Sequence, residues 1–300
     1  CKSSHRATGK LLNCPHNFFF LKIFFQQKKC LITGAASGIG KSVALLLGKH
    51  GAILFLTDIQ SELLAETVNE IKANGGNVAF STSLDITNFE QVQAFSNEIH
   101  QKYGAMDIVM NIAGIAIWGA VDKMQHEEWK KVIDVNLMGP IHIIESFLPK
   151  MIEEKKGGNL VNVASAAALF GLPWHGAYCA SKYGLRGLSD VLKHDLKRHK
   201  INVHLVCPGA VNTGLVSSIK VSGIEITENK FTALKKRFQQ HAVSPEQAAT
   251  AILKGIVKND YYVFTSPDIR FGNWGKDKFN FASDWVLQIA NDYFQKAFSK

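Results

Sequence analysis

Short apolar runs alternate with longer amphipathic ones along most of the chain. The runs predict strands at Cys30–Thr33, Ile53–Thr57, Val78–Thr82, Asp107–Asn111, Asn159–Ala164, Ile201–Cys207 and Tyr261–Phe264. Between them, apolar residues at three- and four-residue spacing predict helices at Lys41–Lys49, Ser61–Ala73, Phe89–Lys102, His126–Asn136, Pro140–Glu154, Tyr178–Lys200 and Pro245–Lys258. Such alternation implies right-handed βαβ units and an α/β, doubly wound parallel sheet of the Rossmann kind. No Pro/Gly/Ser-rich linker interrupts it, so residues 28–300 read as one domain.

At the first strand-to-helix joint, Gly34, Gly38 and Gly40 stand around Ser37 and Ile39 in Thr33-Gly34-Ala35-Ala36-Ser37-Gly38-Ile39-Gly40. Glycines let backbone approach a ligand closely, and a helix start offers unpaired N–H groups to a pyrophosphate. The second strand ends in Asp58, eighteen residues past Gly40, where a carboxylate can accept from both hydroxyls of a ribose. It would repel a 2′-phosphate, and neither Ser37, Ile59 nor Gln60 supplies a cation for one, so NAD is expected over NADP. Farther on, Tyr178 and Lys182 are four residues apart on a predicted helix, a phenol beside an ammonium. A neighbouring positive charge stabilises phenolate and suits the pair to proton transfer.

Together these motifs resemble the short-chain dehydrogenase/reductase family in its shorter cytosolic form. The resemblance rests on Thr33-Gly34-x-x-x-Gly38-x-Gly40, Asp85, Asn111-Ile112-Ala113-Gly114, Asn136, Ser165 thirteen residues before Tyr178, Tyr178-x-x-x-Lys182 and Pro208-Gly209, in the family's order from about Lys28 to Phe264. One departure is Ile112, where the family commonly has a second Asn; the Ile is expected to pack beside the fourth strand. Parallel sheets bind ligands beyond the carboxyl ends of their strands, where these motifs fall. The resemblance implies Asp58 on the adenosine ribose, Asp85 and Ile86 near the adenine, and Asn111, Ala113, Gly114, Pro208, Gly209, Val211 and Thr213 around the cofactor, with Thr213 at the nicotinamide carboxamide. Taken singly, Asp58 and Asp85 read equally well as helix caps.

The implied chemistry gives Ser165 the substrate oxygen, Tyr178 the proton, Lys182 the nicotinamide ribose and the lowering of the Tyr178 pKa, and Asn136 the support of a relay water. No metal is needed. A substrate lid is expected over about residues 213–243. Leu215, Val216, Ile219, Val221, Ile224 and Ile226 make it apolar, and Phe170, Leu172, Pro173, Trp174 and His175 line the approach. An apolar alcohol, ketone or aldehyde of steroid, retinoid or fatty-acyl type follows, with a packing role for His175. The alternatives are an NADPH-dependent 3-ketoacyl reductase and, in a different class, a noncatalytic dinucleotide sensor, which would have no use for Ser165, Tyr178 and Lys182 together.

The net charge of +9 suggests nucleic acid only until it is mapped. Lys2, Arg6, Lys10, Lys22, Lys28 and Lys29 all precede residue 31, without an acid among them, so the rest is nearly balanced. That first segment contains Phe18–Phe25, apolar but for Lys22 and too short to span a bilayer. Residues 1–27 are read as an unstructured or misannotated extension, with peripheral membrane contact as the alternative and catalysis independent of it. Cys1, Cys14, Cys30, Cys179 and Cys207 show no metal-like spacing and suit reduced thiols in a cytoplasmic protein. A homotetramer or homodimer built on the helices Pro140–Glu154 and Tyr178–Lys200 is expected by resemblance.

Overall fold

The computed structural model describes residues 17–214, 220–223, 242–276, 286–289 and 291–292. In chain order the strands are β1 Lys29–Thr33, β2 Ile53–Asp58, β3 Asn77–Ser83, β4 Ile108–Asn111, β5 Ile117–Trp118, β6 Gly158–Val163, β7 Ile201–Cys207, β8 Lys220–Val221 and β9 Tyr262–Phe264. The helices are α1 Asn17–Phe25, α2 Gly38–Lys49, α3 Ser61–Ala73, α4 Phe89–Tyr103, α5 His126–Ile133, α6 Gly139–Glu154, α7 Gly176–Asp195, α8 Pro245–Lys258 and α9 Pro267–Lys276. Seven strands form one parallel sheet in the order β3-β2-β1-β4-β6-β7-β9, with the strand-order switch between β1 and β4. β5 and β8 pair separately, also parallel.

Strand residues alternate faces, and both faces are covered. Cys30 and Ile32 of β1, Leu54 and Leu56 of β2, and Val161 and Val163 of β6 join Val43 and Leu47 of α2 and Ile252 and Ile256 of α8. Leu31, Phe55 and Leu160 point the other way, to Phe95 of α4 and Ile143, Phe147 and Met151 of α6. The sheet is therefore a double-sided wall whose strand ends are held rigidly.

Three predicted boundaries need correction. The reading of residues 1–27 as unstructured fails at α1, because Leu21 and Phe25, one turn apart, bury themselves in the core with α8, Phe25 completely. The chain leaves α1 through Gln27, whose backbone N–H donates to Gly51 O at 2.8 Å and whose φ is 61°. A run that is apolar at every position but Lys22 hides that pairing from a search for apolar-polar alternation. Next, the helix expected at His126–Asn136 continues through a π-helical turn, Asp134–Met138, into α6. The physical reason is Pro140, which has no N–H for the carbonyl of Asn136 four residues back. Last, α7 ends at Asp195 rather than Lys200, and a short 3-10 turn, Lys197–His199, follows.

The lid region lies mostly outside the described residues. Of its apolar side chains only Val221 is described, buried at 8% exposure; Leu215, Val216, Ile219, Ile224 and Ile226 fall outside.

Candidate active site

The glycine loop is folded tightly against β4 and itself. Gly34 takes φ +71°, and a Cβ there would stand 2.8 Å from the backbone of Ala113; one on Gly40 would stand 1.9 Å from Gly34 O. No larger residue fits either position. Ser37 precedes α2 in extended conformation, yet its hydroxyl makes no capping hydrogen bond. A helix start left without a side-chain cap, beneath a backbone that approaches closely, fits the phosphates of a dinucleotide. Gly38 faces Thr213, whose Cγ2 would lie 3.1 Å from an added Cβ, so the Thr213 segment closes over the loop. Ile39 is half-buried and packs on the core below.

Asp58 is buried at the end of β2, where Oδ2 accepts from Ala36 N and Oδ1 from Gln60 N, both at 3.0 Å. The carboxylate thus ties the glycine loop to the second strand, and each oxygen retains acceptor capacity toward a ribose. Asp85 caps its own turn, accepting at Oδ1 from Thr87 N at 2.9 Å and from the Thr87 hydroxyl at 2.8 Å. Ile86 is buried against Gly139, and its carbonyl accepts from His142 Nδ1 at 2.9 Å. At β4, Thr33 Oγ1 accepts from Ile112 N at 3.1 Å and Ala113 N at 3.2 Å, which holds this corner although Ile112 has no polar side chain. Ile112 packs on the core as expected.

Asn111 acts mainly within the protein. Its Nδ2 donates to Asn162 Oδ1 at 2.9 Å, Asn162 Nδ2 to Ser189 Oγ at 2.9 Å, and Ser189 Oγ to Leu185 O at 2.7 Å. This buried chain fixes α7 against the sheet. Sequence reasoning passed over Asn162 and Ser189 because a strand Asn and a helix Ser look polar and local until their register is known.

Asn136 is fully buried in the π-helical turn. Its Oδ1 accepts from Ile115 N at 2.8 Å, and its Nδ2 donates to Ile115 O at 2.9 Å and to Ser181 Oγ at 3.2 Å. Ser181 in turn donates to Tyr178 O at 2.8 Å. A Cβ on Gly114 would sit 3.1 Å from Asn136 Oδ1 and 3.5 Å from Lys182 Nζ, so Gly114 keeps space open between them. Ser181, missed in sequence, was legible only as the residue between two better candidates.

On α7, Tyr178 and Lys182 share the expected face. Lys182 is 4% exposed, its Nζ donates to Val163 O at 3.0 Å, and it lies 5.8 Å from the Tyr178 ring centre. Burial drags its pKa down to about 8. Ser165, after β6, accepts from Ala167 N at 3.1 Å and shares a hydrogen bond with the Tyr178 phenol. Ala166 N donates to Pro208 O at 2.8 Å, and Gly209 N to Thr265 Oγ1 at 3.3 Å, joining this turn to the loop after β7. Val211 bridges to Val243, which ties the loop after β7 to the segment that enters α8.

One electrostatic expectation is reversed in the protein by itself. Burial is the larger influence on Tyr178 and pushes its pKa above that of an ordinary phenol, against the lowering by Ser165. The lowering expected from Lys182 is not among the influences on the phenol, which are burial, Ser165 and Cys179. His175 is buried with its ring centre 4.5 Å from that of Trp118, and its Nδ1–H donates to Pro173 O at 2.6 Å. Burial lowers its pKa, so it is neutral packing, as expected. Cys179 points to Phe170 O and Leu172 O, and burial raises its pKa, which leaves no thiolate nucleophile there.

Residues 28–222 match the short chain dehydrogenase family model. The chain is 34% identical over 236 residues to the oxidoreductase SadH of Mycobacterium tuberculosis, covering 78% of this chain and 84% of that one. It is also 34% identical over 228 residues to the 3-oxoacyl-[acyl-carrier-protein] reductase FabG of Thermotoga maritima, covering 76% and 89%. Among solved structures, a Burkholderia phymatum short-chain dehydrogenase/reductase in complex with NAD superposes with a TM-score of 0.76 at 28% identity, over 85% of this chain and 94% of that one. A metagenomic short-chain oxidoreductase in complex with NADP gives 0.65 at 28%, over 80% and 97%. With the glycine loop, Ser165, Tyr178 and Lys182 in one place, the chain belongs to the short-chain dehydrogenase family. It is an NAD(P)-dependent oxidoreductase.

Proposed function

We propose that this protein moves a hydride between NAD(H) and an apolar alcohol or its ketone or aldehyde, with Tyr178 as acid/base. The observation that carries the reading is the setting of Tyr178. Its phenol bonds to Ser165, its ring lies beside buried Lys182, and its outer side packs in an apolar group of Ala116, Trp118, Trp174 and Val221. Such walls favour a substrate with little polarity around the reacting oxygen. The preference for NAD rests on Asp58, whose carboxylate is fixed beside the glycine loop.

When bound, the nicotinamide supplies the hydride donor or acceptor. Ser165 holds the substrate oxygen by hydrogen bond. Tyr178 gives that oxygen a proton in reduction or takes one in oxidation, and its raised pKa keeps the proton-giving form at neutral pH. Lys182 holds positive charge beside the phenol, and Asn136 fixes the backbone of Ile115 at the mouth.

Screening alcohols and ketones of graded hydrophobicity with NAD(H) and NADP(H), followed by nicotinamide absorbance, tests this. Turnover with NAD(H) that rises with apolar bulk is expected; a preference for NADP(H), or for small polar substrates, would overturn it. A second reading, a 3-ketoacyl reductase, is favoured by the relative of that activity in Thermotoga maritima. Carrier-linked 3-oxoacyl chains in the same screen discriminate the two. A homo-oligomer along α6 and α7 is part of the proposal, supported by exposed Tyr183 and Val191 on α7. Light scattering that returns the mass of one chain would remove that part.

A further inference from the structure

The amino end of the sheet, opposite the active site, carries features that catalysis does not use. On α1, Leu21 and Phe25 face the core, while residues 20, 23 and 24 share another face by their three- and four-residue spacing. Ile23 is 59% exposed, Phe20 is exposed and Phe24 half-buried. Phe24 also walls a cavity of about 210 Å³ with Lys28, Asp107, Lys156 and Lys200. A second cavity of about 200 Å³ adjoins it through Asp107, Lys156 and Gly157, and adds Lys29 and Glu154.

Charge decides what this surface suits. Lys28, Lys29, Lys156 and Lys200 outnumber Asp107 and Glu154, whose carboxylates are already engaged by Lys28 and Lys156. Lys22 stands on α1 itself, and residues 1–16 add Lys2, Arg6 and Lys10 without an acid. An apolar ridge edged by ammonium groups and set over a cationic hollow is complementary to an anionic lipid surface: side chains enter the interface, and phosphate headgroups meet the lysines. A nucleic acid would be served by the cations but would leave the ridge in water. No helix among the described residues is long and apolar enough to cross a membrane, so the contact lies in the plane of the interface.

We infer that the amino end of the sheet docks on anionic phospholipid through Ile23, Phe24 and Phe20, with Lys28, Lys156 and Lys200 on the headgroups. Tyr178 and Ser165 lie beyond the opposite strand ends, so the docked enzyme presents its active site to the aqueous side.

The test is co-sedimentation of the full chain with phosphatidylcholine vesicles and with vesicles containing phosphatidylglycerol. Binding only to the anionic vesicles, reversed by salt, is expected. Ile23→Asp should weaken it at least about tenfold by removing inserted apolar area. Lys156→Gln with Lys200→Gln should weaken it about twenty-five-fold, since each cation near such a surface is worth about fivefold. Both variants change exposed positions, so unchanged melting temperature and NADH binding show that the fold is intact. Equal binding to neutral vesicles, no binding to either kind, or binding that survives both variants would overturn the inference. So would release by millimolar inorganic phosphate at constant ionic strength, which would make the hollow a site for the free anion.

Discussion

At the carboxyl end of the sheet, Asn136, Ser181, Tyr178 and Lys182 bond mainly to backbone and to one another, and among the described residues no carboxylate pairs with the buried ammonium. At the amino end it is the two carboxylates, Asp107 and Glu154, that have been given partners. Lys29 N donates to Asp107 Oδ2 at 2.9 Å, Ala105 N to Glu154 Oε1 at 2.7 Å, and Lys156 pairs with Glu154 at 2.6 Å. Glu154 is accordingly held below the usual carboxylate range, first by Lys156 and then by the Ala105 N–H. One end keeps a costly unpaired cation where a proton must move; the other stitches strands to turns. Substitutions at the two ends should therefore separate activity from stability.

The largest expected effect is at the carboxyl end. Tyr178→Phe should lower kcat by about a thousandfold or more while NADH binding, read by fluorescence, changes little, because the acid/base group alone is removed. Turnover within tenfold of the parent would break the assignment.

At the other end, Phe25→Ala should cost about 3–4 kcal/mol of stability by emptying a fully buried site. Measured by denaturant unfolding, it should leave kcat/KM of the folded fraction nearly unchanged. A chain beginning at Gln27 should lose comparable stability, contrary to the view that residues before it are dispensable. An unchanged melting temperature after that deletion would restore that view.

Asp58→Ala should weaken NAD use by about tenfold to a hundredfold and relax discrimination against NADP, as expected for the loss of a charged hydrogen-bond acceptor worth about 1.5–3 kcal/mol. Steady-state kinetics with both cofactors decides; parent enzyme that already prefers NADP would sink it.

The smallest effect concerns pH. The folded pKa of Lys182, about 8, lies below the ordinary 10.5, so between those values the unfolded chain binds more protons than the folded one. Stability contributed at this site is then lowest below pH 8 and rises as pH climbs through 8. Above about pH 10 the raised pKa of Tyr178 acts the other way, since the unfolded phenol ionises first. Lys182→Met should flatten the rise of melting temperature between pH 8 and 10. An equally steep rise in the variant would show that other groups cause it.

How much of this could be read from the chain depends on the range of the signal. β7 and α3 were predicted to the residue, because apolar runs and their period are local. The positions of Gly34, Asp58 and Ser165 followed from the rule for strand ends, and the shared face of Tyr178 and Lys182 from their four-residue spacing. What escaped is non-local. The pairing of β5 with β8 joins residues about a hundred apart in sequence, and two-residue strands carry no period to detect. The burial of Phe25 depends on α8, and the net pKa of Tyr178 on how completely its neighbours exclude water.

The π-helical turn at Asp134–Met138 makes His126–Glu154 a single rod with a phase error written into it. An α-helical turn advances each residue by about 100°, so one extra residue rotates everything beyond it by that much. Upstream of the insertion Val132 is aimed inward; downstream Ile143, Phe147 and Met151 are. Removing one residue from the turn would regularise the hydrogen bonds and yet turn that second stripe off the sheet. Asn136 would lose Ile115 and Ser181 in the same motion. The irregular turn is thus a phase shifter that lets one helix serve two surfaces, and a one-residue deletion there should be far more damaging than any single substitution in the same five positions.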